Sequence, residues 1–313
     1  MTVSETTTPT STSPSTPAPR WNVGENRRPA DGLHPHSQEA ERSESSQRSQ
    51  EPSPRLRADA VSLAYDERMV VDGVTLDVPT GRITVVVGPN GCGKSTLLRG
   101  LGRLLKPRGG SVLLDGEVIT ELPTREVARR LGLLPQQPIV PEGVSVLELV
   151  ERGRHPHHGL FRSWGRADEE AVASALTRTD LVELASVPVD SLSGGQRQRV
   201  WLAMVLAQDT PVLLLDEPTS FLDIAHQLDV LDLVRSLRDQ SGTTVVMVLH
   251  DLAMAARYAD HLVAMSDGRI IAEGPPAQVV TPEVIADVFG VTASVIVDPE
   301  SGTPVVIPRR RAS

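Results

Sequence analysis

Between residues 58 and 87 apolar and polar positions alternate in short segments, "AVSLAY", "VTLDV" and "RITVVV", separated by Asp-Gly and Thr-Gly turns. A period of two predicts strands with one buried face. The pattern then changes. After a glycine-rich stretch the leucines of "KSTLLRGLGRLL" recur at helical spacing, so the order is strand, loop, helix. Helical periodicity also fills 124–131 and 145–185, where it is interrupted by the polar "GRHPHHGLFRSWGR". Further on, "PVLLLDEP" and "TTVVMVLHD" are short, almost wholly apolar runs ending in charge, the pattern of parallel strands buried on both faces. Helices at about 193–208, 224–240 and 251–258 alternate with them, which makes an α/β core with a helical insert. The last stretch, "ASVIVDPESGTPVVIPRRR", predicts two strands joined by a Pro/Gly loop.

Residues 1–57 follow none of these patterns. They are Ser, Thr, Pro, Glu and Arg with Trp21 as the one aromatic residue, too little apolar surface to offset the entropy of ordering, and they are expected to form a disordered tail. The start has neither the basic nor the apolar stretch of a secretory signal. No apolar run approaches the roughly 18–20 residues of a spanning helix, so a membrane role is expected to come through a partner. The tail holds seven acidic and seven basic residues, which leaves the net charge of −9 on the folded part, a poor surface for nucleic acid. One cysteine, Cys92, excludes an internal disulfide and suits a reducing cytoplasm.

The chain has 31 basic residues but only two lysines, Lys94 and Lys106. Lys94 lies in "GPNGCGKST", which fits G-x-x-x-x-G-K-[ST] with the required strand before and helix after. In such a loop Gly88, Pro89, Asn90, Gly91, Cys92, Gly93, Lys94, Ser95 and Thr96 bind the nucleotide, with backbone N–H groups around Gly91 to Lys94 and the helix N-terminus cradling the phosphates. Lys94 reaches the β/γ-phosphates and Ser95 ligates Mg²⁺. A compact ammonium fits inside a ring of amides where the planar fork of arginine does not. Asp216 and Glu217 close "VLLLDE" at the C-terminal end of a buried strand, where α/β sheets bind ligands. Asp216 suits Mg²⁺ and Glu217 suits activation of the attacking water. Finally, "LSGGQRQR" starts a helix with Ser193, Gly194, Gly195 and Gln196, which makes a second anion site. A chain with one phosphate loop has no evident use for two such sites.

With these three motifs in this order the chain resembles the ATP-binding subunits of ABC transporters, from about residue 58 to the C-terminus. The resemblance implies a P-loop NTPase core with an N-terminal antiparallel β subdomain and an inserted helical subdomain at about 137–208, the cassette spanning 58–298 and a C-terminal strand and basic tail at 299–313. It implies a homodimer in which the "LSGGQ" of one copy covers the γ-phosphate held by the other. ATP binding then closes the dimer and hydrolysis reopens it. By matching motif, Tyr65 stacks on adenine, Gln136 is the lid glutamine and an Mg²⁺ ligand, Asp223 crosses the dimer, and His250 contacts the γ-phosphate and positions Glu217. Two departures stand out: Gln137 duplicates Gln136, and Phe221 occupies a place where the family more often has a small residue.

Within the family, the Gly-Arg-His-Pro-His stretch, "MVLAQ", "DIAHQ" and "SGTPVVIP" are similar to ATPases of ferric-siderophore importers, a group close to those for haem and vitamin B12. The resemblance implies two permease subunits, an extracytoplasmic binding protein and a peripheral place on the cytoplasmic face of the membrane. The alternatives are a haem or vitamin B12 importer, or an exporter. His155, His157 and His158 are expected to be solvated or permease-facing surface, and Arg309 to Arg311 a solvated tail. Only 96 residues separate Thr96 from Leu192, too few for the long coiled coil of chromosome-organising relatives, and one cassette excludes the two-cassette translation factors.

Overall fold

A computed structural model describes residues 54–136, 138, 142–158 and 164–311. Most of the expected tail, and Gln137, lie outside the described residues. The first strand, β1 (Leu56–Tyr65), starts two residues before the expected boundary because Leu56 is fully buried in the core. It pairs antiparallel with β2 (Arg68–Val78) and with β4 (Gly109–Leu114), which continues to the short β5 (Glu117–Val118). The resulting sheet, in the order β2-β1-β4-β5, is the antiparallel subdomain. The turn between β4 and β5 was not evident from periodicity because β5 is only two residues long.

The central sheet has six strands in the order β10-β9-β3-β8-β7-β6. These are β3 (Ile83–Val87), β6 (Leu131–Leu134), β7 (Val212–Asp216), β8 (Thr244–Val248), β9 (His261–Ser266) and β10 (Arg269–Gly274). All pair in parallel except β10, which returns antiparallel to β9. β3, β7 and β8 are buried along their whole length, which accounts for their continuous apolar sequence. One face packs with the antiparallel sheet against α1 (Lys94–Leu101), where Leu97, Leu98 and Leu101 are buried. The other face is covered by α6 (Ile224–Ser241) and α7 (Leu252–Tyr258).

The helical insert has a core of its own. It contains α3 (Val146–Glu151), a 3₁₀ turn (Arg152–His157), α4 (Arg166–Arg178) and α5 (Gly194–Ala207), with Leu149, Val172, Leu176, Val200 and Ala203 among its buried residues. A short helix α2 (Thr124–Arg130) leads into β6. Of the three histidines expected on a solvated or permease-facing surface, His155 is exposed while His157 and His158 are half-buried. Arg154 is buried, its Nε 2.9 Å from Asp168 Oδ1 and its Nη1 donating to Ala207 O, and His157 Nε2 lies 2.7 Å from Gln208 O. These polar groups tie α4 to the end of α5, and only His155 is exposed. No group of residues suited to a metal ion occurs among the described residues.

Two short helices, α8 (Pro276–Val279) and α9 (Pro282–Phe289), precede a hairpin of β11 (Val291–Val297) and β12 (Pro304–Arg311). Arg309 to Arg311 belong to β12, where Arg310 pairs with Thr292. The expected basic tail is thus a strand, because the ladder satisfies its backbone whatever its side chains carry. No described helix is long and apolar enough to cross a membrane.

Candidate functional site

The register of the parallel strands places the chemistry. Leu134, Leu215 and Met247 lie side by side in β6, β7 and β8, and Val86 pairs with Val248. Continuing each strand by two or three residues brings Gln136, Glu217, His250 and the start of the phosphate loop to one end of the sheet. This is the carboxyl end, the usual ligand edge of an open α/β sheet. A cleft of about 320 Å³ there is lined by Val70, Asn90, Gly91, Gly93, Lys94, Ser95, Thr96, Gln136, Glu217 and His250.

The loop is wound round Lys94. Its ammonium, buried with the residue 5 % exposed, donates to Gly88 O and Pro89 O, each at 2.9 Å. Gly93, with φ of 107°, turns into α1, and a Cβ there would lie 3.0 Å from Val70 O. At Gly88 a Cβ would lie 2.2 Å from Met265 O. The close packing of the loop against β2 and β9 therefore requires glycine at both places. Cys92 turns the other way. Its side chain is buried in the core under the antiparallel sheet, and burial pushes its thiol up despite the opposing charge of Lys94. Proximity to a helix N-terminus predicts a reactive thiol; burial decides otherwise here.

Behind the loop, Ser95 Oγ donates to Asp216 Oδ1 at 2.8 Å. Asp216 is almost fully buried; burial raises its carboxyl, a rise that the Ser95 hydrogen bond only partly offsets and the charge of Glu217 adds to. Glu217 behaves oppositely. Burial pushes it up, but hydrogen bonds from Gln136 and His250 and the nearby imidazole outweigh that and leave it below the usual carboxylate range. His250 Nε2 is 2.6 Å from Glu217 Oε1, and Ser220 Oγ donates to Oε2 at 3.0 Å. The backbone of Glu217 has a left-handed φ of 53°, which costs a non-glycine residue about 1 kcal/mol or more and aims the carboxylate into the cleft.

Ser220 was not singled out from sequence. Its only sequence signal is a hydroxyl three residues after a strand-end carboxylate, where the turn Ser220 N–H to Glu217 O brings it back. Tyr65 sits at the end of β1, 41 % exposed, with its hydroxyl accepting from Arg99 Nη1 at 2.9 Å. It does not line the cleft.

The donor set fits a Mg²⁺-bound nucleotide. Ser95, Asp216 and Gln136 offer hard oxygen ligands of the kind Mg²⁺ takes. Lys94 uses two of its donors on carbonyls and keeps a third.

The second anion motif lies in a different cleft, of about 450 Å³, lined by Ser193, Gly194, Gly195, Gln196, Arg199, Phe221, Leu222, Asp223 and His226. Ser193 caps α5 reciprocally: its Oγ accepts from Gln196 N–H, and Gln196 Oε1 accepts from Ser193 N–H. Asp223 caps α6, its Oδ1 accepting from His226 N–H at 2.9 Å and lying 2.8 Å from His226 Nδ1. The two clefts share no residue.

Comparison with known proteins shows the family. Residues 71–220 match the family described as ABC transporter. The probable siderophore transport system ATP-binding protein YusV of Bacillus subtilis (strain 168) is 52 % identical over 82 % of this chain and 93 % of its own length. The ferric enterobactin transport ATP-binding protein FepC of Escherichia coli (strain K12) is 50 % identical over 83 % of this chain and 96 % of its own. Among solved structures, one described as the dimeric structure of a bacterial ABC transporter cassette is similar with a TM-score of 0.65 and 29 % identity, covering 70 % of this chain and 98 % of the other.

Proposed function

This chain belongs to the ABC transporter family as an ATP-binding subunit, and from that premise we propose that it is the ATPase that powers import of a ferric siderophore through a separate permease. The observation that carries the ATPase reading is the convergence of Lys94, Ser95, Gln136, Glu217 and His250 on one cleft while Ser193 to Gln196 and Asp223 line another. Two copies placed head to tail would bring the two kinds of cleft together on each nucleotide. The siderophore assignment is supported by the names and identity of the relatives, because the residues that read a chelate belong to other subunits.

In this reading Lys94 and the amides around 91–94 bind the phosphates of ATP, and Tyr65 stacks on adenine from outside the phosphate cleft. Mg²⁺, when held by Ser95, Gln136 and Asp216, neutralises phosphate charge. Glu217 receives the proton of the attacking water on its carboxylate, and His250, which faces Oε1, keeps that carboxylate oriented. Gln136, two residues past the end of β6 and next to the helical insert, hydrogen-bonds Glu217, so a shift of the insert changes the cleft. Residues 54–136 and about 209–311 would form the catalytic body and about 137–208 the part that meets the permease. The subunit would sit at the cytoplasmic face of the membrane through two permease subunits fed by a binding protein.

Removing the gene from its host and measuring uptake of radioactive iron as ferric siderophore tests the transport assignment. Iron uptake from at least one ferric siderophore should fall to background while uptake of haem and cobalamin is kept. Unchanged uptake of every siderophore offered, with loss of haem or cobalamin uptake, would move the chain to that neighbouring group.

A further inference from the structure

The phosphate loop is held from within by Lys94 and from outside by a turn that lies far away in sequence. β9 and β10 are joined by Asp267 and Gly268, with φ of 47° and 76°, the left-handed pair of a type I′ hairpin. Gly268 N–H donates to Cys92 O at 2.9 Å, and Gly268 O accepts from Asp72 N–H at 3.1 Å. The turn thus bridges the loop to β2 through backbone groups. The approach is close enough that a Cβ on Gly268 would lie 2.3 Å from Val70 O. The hairpin closes on its own through the Ser266–Arg269 pair, so its ladder does not account for these bonds.

The bond to Cys92 has a geometric consequence. A trans peptide is planar, and its C=O and the N–H of the next residue point in opposite directions. Drawing Cys92 O outward to the turn therefore aims Gly93 N–H inward, toward the cleft that Gly93 lines. Among the described residues that N–H has no acceptor. Glycine at 93 leaves the peptide free to flip, and a flipped peptide would present the Cys92 carbonyl, an acceptor, where a phosphate oxygen belongs. The turn removes that alternative.

We propose that Gly268 is a positioning residue for phosphate binding: its N–H fixes the Cys92–Gly93 peptide so that the Gly93 amide faces a phosphate oxygen before the nucleotide arrives. The proposal rests on the nucleotide reading of the phosphate loop and adds a residue outside the cleft on which the loop depends. A donor set in advance costs no reorganisation when the anion binds. Because the amide would grip a phosphate alike before and during hydrolysis, losing it should raise KM and spare kcat.

The test measures the full chain's affinity for a fluorescent ATP analogue and, by competition, for inorganic tripolyphosphate, which has phosphates and no base. Gly268→Ala must move the turn off Val70 O, and is expected to weaken both ligands equally, by about tenfold, with kcat at saturating ATP within about threefold of wild type. Gly116→Ala is the control. Gly116 has a left-handed φ of 83° in the turn between β4 and β5 with nothing near its missing Cβ, so this variant carries backbone strain away from the loop and should leave both affinities unchanged. Wild-type affinities in Gly268→Ala overturn the proposal. So does weakening of ATP alone, since the turn would then act through β2 and the base, and so does equal weakening in Gly116→Ala, which would make the effect one of general stability. Should Gly268→Ala fail to fold, the wild-type chain decides: scalar coupling across the hydrogen bond between the Gly268 nitrogen and the Cys92 carbonyl carbon should appear by NMR without nucleotide, and the Gly93 amide proton should shift downfield on adding tripolyphosphate. Missing coupling, or a Gly93 amide that does not respond, overturns the positioning role and leaves the nucleotide reading standing. A wild-type chain that binds neither ligand overturns both.

Discussion

The phosphate-loop cleft and the signature cleft are both anion sites by sequence, yet they are built differently. The first lies on the ends of fully buried strands, and each of its charged groups is held by neighbouring polar groups: Lys94 by carbonyls, Asp216 by Ser95, Glu217 by Gln136, His250 and Ser220. The second lies on a helix N-terminus above a separate small core, is capped by Ser193 and Asp223, and is lined by neither a lysine nor a glutamate. In the proposed reading the first is preorganised for chemistry and the second is half of a site. The difference explains how one chain can carry two anion motifs without carrying two complete sites.

Breaking the first cleft should have the largest effect. Glu217→Gln is expected to slow phosphate release about 10²- to 10⁴-fold while leaving nucleotide affinity nearly unchanged. Lys94→Arg should instead remove nucleotide binding, because the guanidinium fork does not fit between Gly88 O and Pro89 O. Turnover of the first variant within tenfold of wild type, or wild-type affinity of the second, would contradict the assignment of the cleft.

The second cleft should respond in a distinct manner. Ser193→Ala removes the hydroxyl and the cap, and is expected to lower hydrolysis by about 10²-fold while a dilute monomer still binds ATP normally. Loss of monomer binding would mean that both clefts of one chain serve the same nucleotide.

A finer comparison concerns Ser220, at the start of the connecting loop. Losing its hydrogen bond to Glu217 should reduce kcat about tenfold at constant KM. Ser220→Thr, which keeps the hydroxyl, should recover most of it. A matching loss in the threonine variant would show that the loop backbone, and not the hydroxyl, is what counts.

The support of the signature helix is open to a pH test. Burial pushes Asp168 up, but the Arg154 hydrogen bond and the Gly165 N–H reverse this and leave its carboxyl below the unfolded range. Its stabilising share is therefore complete above the unfolded value, about pH 4, and is lost as pH falls through the lower folded value. Asp168→Asn should destabilise the chain by about 3 kcal/mol at neutral pH, because Arg154 is left buried without its counter-ion, and should flatten the acid limb of the melting curve. An unchanged acid limb would remove Asp168 from the account.

The smallest effect is expected at Cys92. Cys92→Ser should hydrolyse ATP at the wild-type rate, and alkylation of the native thiol should be slow with or without nucleotide because the side chain is in the core. Fast labelling that ATP suppresses would place the thiol in the cleft.

Local pattern was enough to determine much of this protein. The period-two runs, the continuous apolar strands and the helical repeats located β3, β7, α5, α6 and α7 to within one or two residues and found β8 and the C-terminal parts of β1 and β2, since each element must match one face, two faces or a stripe to the core. The glycine spacing and the lone lysine of 88–96 identified the phosphate loop, because backbone that passes so close to Val70 and Met265 tolerates no side chain. Tertiary structure decided what depends on distant neighbours. Strand register brought Gln136, Glu217 and His250 together from three segments over 100 residues of chain. A turn made Ser220 a partner of Glu217, and burial turned Cys92 into an inert core thiol. The buried Asp168 carboxylate made Arg154, a residue for which local pattern gave no role, the tie between two helices. Polarity in a sequence states only that a group needs a partner; whether water or another segment supplies it is settled when the chain has folded.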